Sequence, residues 1–264
     1  MPLLPDATGH VSPYSALRDP GCFAVSARGL LHGRRDCPTA ILAANVITTL
    51  RTAAGAAVAA KYAARPVESV VTIVGAGEQA HVQLEALRLV LNIGAVHVWA
   101  RNPDAAVRFS AIWKEKGVNV TPFIELQSAV AAADVIVTTT PSVKPLLFKP
   151  WIRLGTHINA IGSDAVGKQE LAADLVAHSR VIADKRVQSL SIGEMQQPIA
   201  EGLVEANRIA AELGEVCAGF VPARLSDDEV TVFDSSGVSF QDLIVAEHLI
   251  RKASESNAGI SLTM

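Results

Sequence analysis

Cysteine is scarce in this chain. Cys22, Cys37 and Cys217 are scattered through 264 residues and form no Cys-x-x-Cys pair. That spacing excludes a disulfide framework and a thiolate zinc site, so no metal is expected, and the thiols are expected to be buried in a reducing compartment. An excess of basic charge is also missing: 23 Lys and Arg face 26 Asp and Glu, for a net charge of −3. A nucleic-acid partner, which calls for a basic patch or stripe, is therefore not expected. No apolar run is long enough to span a bilayer, since the Ala-rich stretch Ala53–Ala64 is short and carries Lys61. The N-terminal Met-Pro-Leu-Leu-Pro-Asp has no basic segment leading into an apolar core, unlike a signal peptide. Repeats and low-complexity linkers are absent too. These absences describe a soluble cytoplasmic protein without a membrane partner. What is present is apolar: 50% of residues are hydrophobic and 19% charged, enough to bury the core of one large domain or two ordinary ones.

The most informative stretch is Val70-Val-Thr-Ile-Val-Gly-Ala-Gly-Glu-Gln-Ala80. A β-branched run stops at Gly75, Gly77 follows, and Ala80 completes a Gly-x-Gly-x-x-Ala spacing. This is the pattern of a strand turning sharply into a helix. Gly75 permits the turn, Gly77 lets a pyrophosphate approach the backbone, and Ala80 lets the helix sit close on the strand. Free N–H groups and a partial positive charge at the helix start then face the phosphates. Gln83, Leu84, Ala86, Leu87, Val90 and Leu91 continue at helical spacing. The pattern points to a dinucleotide site, the alternative being a purely structural turn.

Prolines break residues 1–44, where Cys22–Val25 and Ala40–Ala44 are short strand candidates. Asn45 is a candidate cap for a small-residue helix that ends near Ala64, before Arg65-Pro66. Strands are expected at Val70–Val74, Ala95–Trp99, Val118–Thr121, Asp134–Thr138, Thr156–Ile161 and Val181–Ala183. Helices are expected at Gln79–Leu91, Ala105–Lys116, Glu125–Ala132 and Glu170–Ala177. This alternation predicts a doubly wound parallel α/β sheet. Beyond it, Gly193–Glu201 reads as loop, Arg208–Leu213 as helix, Val230–Phe233 as strand, Asp234–Gly237 as a turn with helix-cap material and Leu243–Ala253 as an amphipathic helix.

Ligands of such a sheet bind at the carboxyl ends of its strands. After the second strand the chain reads Trp99-Ala-Arg-Asn-Pro103, with no acid to hold a ribose 2′-hydroxyl. Arg101 and Asn102 suit a 2′-phosphate, which favours NADP(H), with NAD(H) possible. Thr138 and Thr139 end the fourth strand, where hydroxyls can approach a nicotinamide ribose or simply form a turn. Asp164 follows the fifth strand between glycines; it is placed either to move a proton in the cleft or to start an Asx-turn. Arg51 stands on the close-packed helix, free to meet a ligand or to make a surface ion pair.

Together these stretches resemble the ornithine cyclodeaminase/mu-crystallin family. The likeness runs from about Asn45 to Ala253. It rests on Thr48–Ala54, Gly75–Ala80, Ala133–Thr138, His157–Gly162 with Asp164, Glu170-Leu171, Glu212–Val216, and Phe233–Gly237 with Asp242. It implies a Rossmann-type domain, 67–204, inserted into a smaller α+β substrate and dimerisation domain built from 1–66 and 205–264. It also implies a homodimer and hydride transfer to or from the α-carbon of a small amino or imino acid. By position, Arg51 would clamp the substrate carboxylate and Asp164 would be the acid/base. The cofactor contacts would be Gly75, Gly77, Glu78, Gln79, Ala80, Arg101, Asn102, Thr138, Thr139, Ser163, Ser236 and Gly237. A lysine that the family carries before this point is missing, with Ser26, Ala27 or Arg28 in its place. The alternative that follows is an NADP-binding relative impaired in catalysis. The N-terminal part also reads as shortened, which predicts a weaker dimer.

Overall fold

The computed structural model describes residues 21–26, 29–34 and 37–260, with side chains from Ala40 onward. Expectations for residues 1–20, for Cys22 and Cys37, and for the lysine position near Ser26–Arg28 lie outside the described side chains. The chain divides by packing into two units, which meet along the sequence at Arg51/Thr52 and Gly237/Val238.

The terminal unit contains an antiparallel sheet of β1 (Gly21–Ser26), β2 (Gly29–Arg34) and β3 (Cys37–Leu42), with β2 in the middle. It also holds the first turns of α1 (Ala44–Ala63), so Asn45 lies inside that helix rather than capping it. Ile47 on α1 packs on Ala246, flanked by Leu42, Val245 and Leu249.

The large unit begins with the rest of α1. Ala56, Ala59, Ala60 and Ala63 have no exposed surface. Without side-chain bulk the helix backbone can be reached from outside: Asn159 Nδ2 donates to the Ala56 carbonyl at 3.1 Å and Arg224 Nε to that of Ala63 at 2.9 Å. Next come β4 (Ser69–Val74), α2 (Glu78–Leu87), β5 (Ile93–Trp99), α3 (Pro103–Glu115), β6 (Val120–Phe123), α4 (Leu126–Val130) and β7 (Val135–Thr138). Then follow β8 (Val143–Leu147), β9 (His157–Ala160), β10 (Gln169–Leu171), α5 (Ala173–Ala177), β11 (Arg180–Ala183), α6 (Arg186–Ile192) and α7 (Gln196–Ala200). Last are β12 (Ala211–Glu212), α8 (Leu213–Cys217) and β13 (Thr231–Asp234), after which α9 (Ser239–Ser256) belongs to the terminal unit.

Eight strands form one sheet in the order β12-β11-β13-β9-β7-β4-β5-β6, with every pair parallel. This is the expected doubly wound α/β architecture. The strands run as apolar β-branched stretches because both faces are covered; β7 and β9 are buried at every position. The order reverses at β4, which has β5 on one side and β7 on the other, and Val74 pairs with both Trp99 and Thr138; in sheets of this kind such a switch point is where ligands bind.

Several local expectations are corrected. Gln169–Leu171 is a strand paired with β8, not the start of a helix, because the Glu194 carboxylate takes the N–H groups of Glu170 and Leu171. Most of the helix expected at 208–213 is absent: Ala210 donates to the Val181 carbonyl, which draws Ala211–Glu212 alongside β11 as β12, and α8 starts only at Leu213. The expected loop at 193–201 contains α7, and Asp234 is the last residue of β13 rather than cap material. Because β12 and β13 join the large sheet, packing puts the second unit boundary at 237/238, later than the expected 204/205. Cys217, expected buried, is exposed. Among the described residues no helix is long and apolar enough to cross a membrane.

Candidate active site

The carboxyl ends of the strands bring together much of what the sequence singles out. Gly75 leaves β4 with φ +107°, a region that side chains rarely adopt. A Cβ there would stand 2.7 Å from Thr139 Oγ1 and 3.0 Å from the Thr139 carbonyl. The β4 and β7 loops therefore touch only because residue 75 is glycine. Gly77 is the N-cap of α2 and, having no side chain, supplies no side-chain cap to the helix start. Nothing lies within 4 Å of a Cβ built on Gly77. Glu78 and Gln79 open the helix, and Ala80 is fully buried against the strand. An open space in front of an uncapped helix start fits a pyrophosphate.

At the end of β5, Arg101 is exposed. Asn102 caps α3, its side-chain oxygen accepting the Asp104 N–H at 3.0 Å, so half of its amide is already committed. At the end of β7, Thr138 points into the protein and donates to Glu170 Oε2 at 2.6 Å, while Thr139 stays by the turn of Gly75. After β9, Ser163 is buried and donates to the Lys168 carbonyl at 3.1 Å. Asp164 is exposed, and Lys168 Nζ lies 2.5 Å from its carboxylate. Ser236 and Gly237 follow β13 and are pinned by Asp184, which accepts Ser236 Oγ at 2.8 Å and the Gly237 N–H at 2.5 Å.

Arg51 lies in the terminal unit, where its Nε meets Asp242 at 3.1 Å with both side chains about one-tenth exposed. The ion pair weighed in the sequence therefore exists, but it is largely buried. Asp242 sets the orientation of the guanidinium.

Sequence reasoning missed the acids behind the strand ends. Glu170 is fully buried and accepts from Thr138 Oγ1, from Thr140 N–H and Oγ1 at 2.6 and 2.7 Å, and from the Gly162 N–H at 2.8 Å. It ties the loop after β7 to the loop after β9. Burial raises its pKa against these donors. Glu194 is raised well above the usual carboxylate range by burial and by the neighbouring Glu170 and Asp234. Burial pushes Asp234 up to about 7 and also raises Asp184. An acid directly after an apolar strand run, as in Ile182-Ala-Asp184 and Val232-Phe-Asp234, was the signal available.

A sequence model of the ornithine cyclodeaminase/mu-crystallin family matches residues 15–257. The chain belongs to that family. Among its relatives is an alanine dehydrogenase of Archaeoglobus fulgidus, 39% identical over 84% of this chain and 68% of that protein. The fold is similar to those of solved members of the family. An archaeal alanine dehydrogenase dimer with bound NAD has a TM-score of 0.86 and 36% identity, covering 89% of this chain and 74% of that one. Δ1-pyrroline-2-carboxylate reductase of Thermococcus litoralis, in complex with NADH and L-proline, has a TM-score of 0.85 and 32% identity over the same shares.

Proposed function

We propose that the protein is a nicotinamide-dependent oxidoreductase that transfers hydride to or from the α-carbon of a small amino or imino acid. The observation that carries this reading is the uncapped start of α2 behind Gly75 and Gly77, in a chain whose family includes dehydrogenases and reductases of such acids. Gly75, Gly77 and the first N–H groups of α2 hold the pyrophosphate, and Ser236-Gly237 approaches the nicotinamide end. NADP(H) is favoured because Arg101 stands exposed at the end of β5, where an acid would select NAD(H). The relatives' NAD and NADH complexes make this preference a point to be measured. A bound nicotinamide supplies or accepts the hydride. The chain itself supplies Arg51, held by Asp242, to grip the substrate carboxylate, and Asp164, which moves the proton on the reacting nitrogen or on water. Lys168 keeps the Asp164 carboxylate in place. The proposal includes a homodimer in the cytoplasm, in keeping with the dimeric archaeal relative.

The competing reading, a binding protein without turnover, is favoured by Ser26, Ala27 or Arg28 standing where the family carries a lysine. A nicotinamide absorbance assay across cyclic imino acids and basic amino acids, with both cofactors, separates the two. Saturable turnover supports the enzyme. Tight cofactor binding with no turnover on any of them supports the competitor.

A further inference from the structure

Four carboxylates stand in a buried chain behind the ends of β7, β9, β11 and β13. Glu194 accepts the N–H of Glu170 at 2.8 Å and that of Leu171 at 3.1 Å. Asp234 accepts the N–H of Glu194 at 3.0 Å and the Ser189 hydroxyl. The Asp184 N–H donates to the Asp234 carbonyl at 3.2 Å. Glu170 then holds Thr138 and Gly162, at the ends of β7 and β9, and Asp184 holds Ser236-Gly237. Among the described residues none of the four makes an ion pair with Lys or Arg. The nearby cations are committed elsewhere: Lys168 to Asp164, Lys185 to Glu212, and Arg186 to Glu215. Every donor to the chain is a neutral N–H or O–H. Buried carboxylates without a cation hold protons that ordinary carboxylates release, and all four are shifted in that direction.

Their place in the sheet gives the chain a use. A doubly wound sheet binds one mononucleotide over each half. If Arg101 at the end of β5 reads the adenosine side, the nicotinamide side would fall to the half containing β7, β9 and β13, the strands whose ends these carboxylates hold. The nicotinamide ring is cationic when oxidised and neutral when reduced. We propose that this carboxylate chain senses the oxidation state of the bound cofactor, holding more proton when the ring is reduced and releasing it when the ring is oxidised. The inference rests on the dinucleotide reading above. Its consequence is that binding of the oxidised form is coupled to proton release, whereas binding of the reduced form is not.

The test is calorimetric titration of the full chain with NADP+ and with NADPH in two buffers of different ionisation enthalpy, which counts protons. The ring-less 2′-phospho-ADP-ribose serves as control for the 2′-phosphate that all three share. NADP+ should release protons beyond the control and NADPH should not. The NADP+ to NADPH affinity ratio should then rise by up to about tenfold per pH unit for one full proton. Glu194→Gln should abolish the difference while leaving the control ligand's affinity intact. If the two backbone N–H groups on Glu194 do not tolerate an amide, Asp184→Asn should still reduce it. Equal proton counts for NADP+ and NADPH in the unaltered protein overturn the inference while leaving the dinucleotide site standing. Failure of these three and of NAD+, NADH and ADP-ribose to bind overturns both.

Discussion

Alanine at Gly75 and alanine at Gly77 should fail in opposite ways. Gly75 sits at φ +107°, so a side chain there costs of order 1–3 kcal/mol of backbone strain. The added Cβ also meets Thr139 Oγ1 at 2.7 Å, which can rotate away, and the Thr139 carbonyl at 3.0 Å, which cannot. Overpacking of that kind adds roughly 1–3 kcal/mol. The sum, about 2–6 kcal/mol, lowers the Tm of a unit this size by roughly 4–24 °C. Gly77 has φ −86° and ψ −173°, which any residue adopts, and its Cβ meets no protein atom. Gly77→Ala should therefore leave Tm within about 2 °C, a weaker cap being offset by a stiffer unfolded chain. Its methyl group occupies the space assigned to the pyrophosphate. Loss of even one charge-assisted hydrogen bond, about 1.5 kcal/mol, weakens binding by roughly tenfold or more. Thermal unfolding and fluorescence titration with NADPH measure both quantities. Unchanged NADPH affinity in a folded Gly77→Ala protein would refute the helix start as the phosphate cradle.

Arg101→Asp should narrow or reverse the preference for NADPH over NADH, and equal affinities in the parent protein would sink the assignment of Arg101. Asp164→Asn should lower kcat by roughly 10²–10⁴, the range for general acid–base catalysis, with NADPH affinity and Tm unchanged; full kcat would make the carboxylate only a partner of Lys168. Arg51→Lys, which keeps a cation for Asp242, should mainly raise KM, since its substrate contact exists before and during the reaction; a fall in kcat alone would contradict that role. His157 is buried between Thr231 Oγ1 and Asn159 Oδ1, and burial pushes its pKa down to about 3. The neutral ring is favoured by folding, so its contribution is full above pH about 6.5 and is lost toward 3, at about 1.4 kcal/mol per pH unit. Asp234, raised to about 7, acts in the opposite direction: its contribution is present at low pH and is lost as pH rises to about 7. Denaturant titrations of wild type and His157→Gln share the Asp234 effect, so the stability gap between them should change with that slope below pH about 6.5. A pH-independent gap would contradict it.

The parallel sheet was legible because its strands are buried on both faces and read as β-branched runs between helical spacings. Gly75 and Gly77 were legible because each has a steric reason visible in the spacing alone. β8 and β12 were not, because their pairing is set by contacts far along the chain: β8 by β10, and β12 by β11 through the Ala210 N–H. Glu170 shows the same limit at the site. Its sequence surroundings suggest the start of a helix, and only the fold brings Thr138, Thr140 and Gly162 around its carboxylate. Arg51 and Asp242 are 191 positions apart, so a distant acid turned a candidate surface pair into a largely buried one.

The central claim is hydride transfer at the α-carbon of an amino or imino acid, and deuterium tracing tests it most directly. The protein is incubated with NADPH carrying deuterium at the reactive nicotinamide carbon, together with a panel of cyclic and acyclic imino acids, and the product is read by mass spectrometry. The account predicts one deuterium at the α-carbon of the amino acid formed, in step with NADPH consumed, and loss of that transfer in Asp164→Asn. NADPH bound tightly but never consumed, or an amino acid formed without deuterium at its α-carbon, would contradict it.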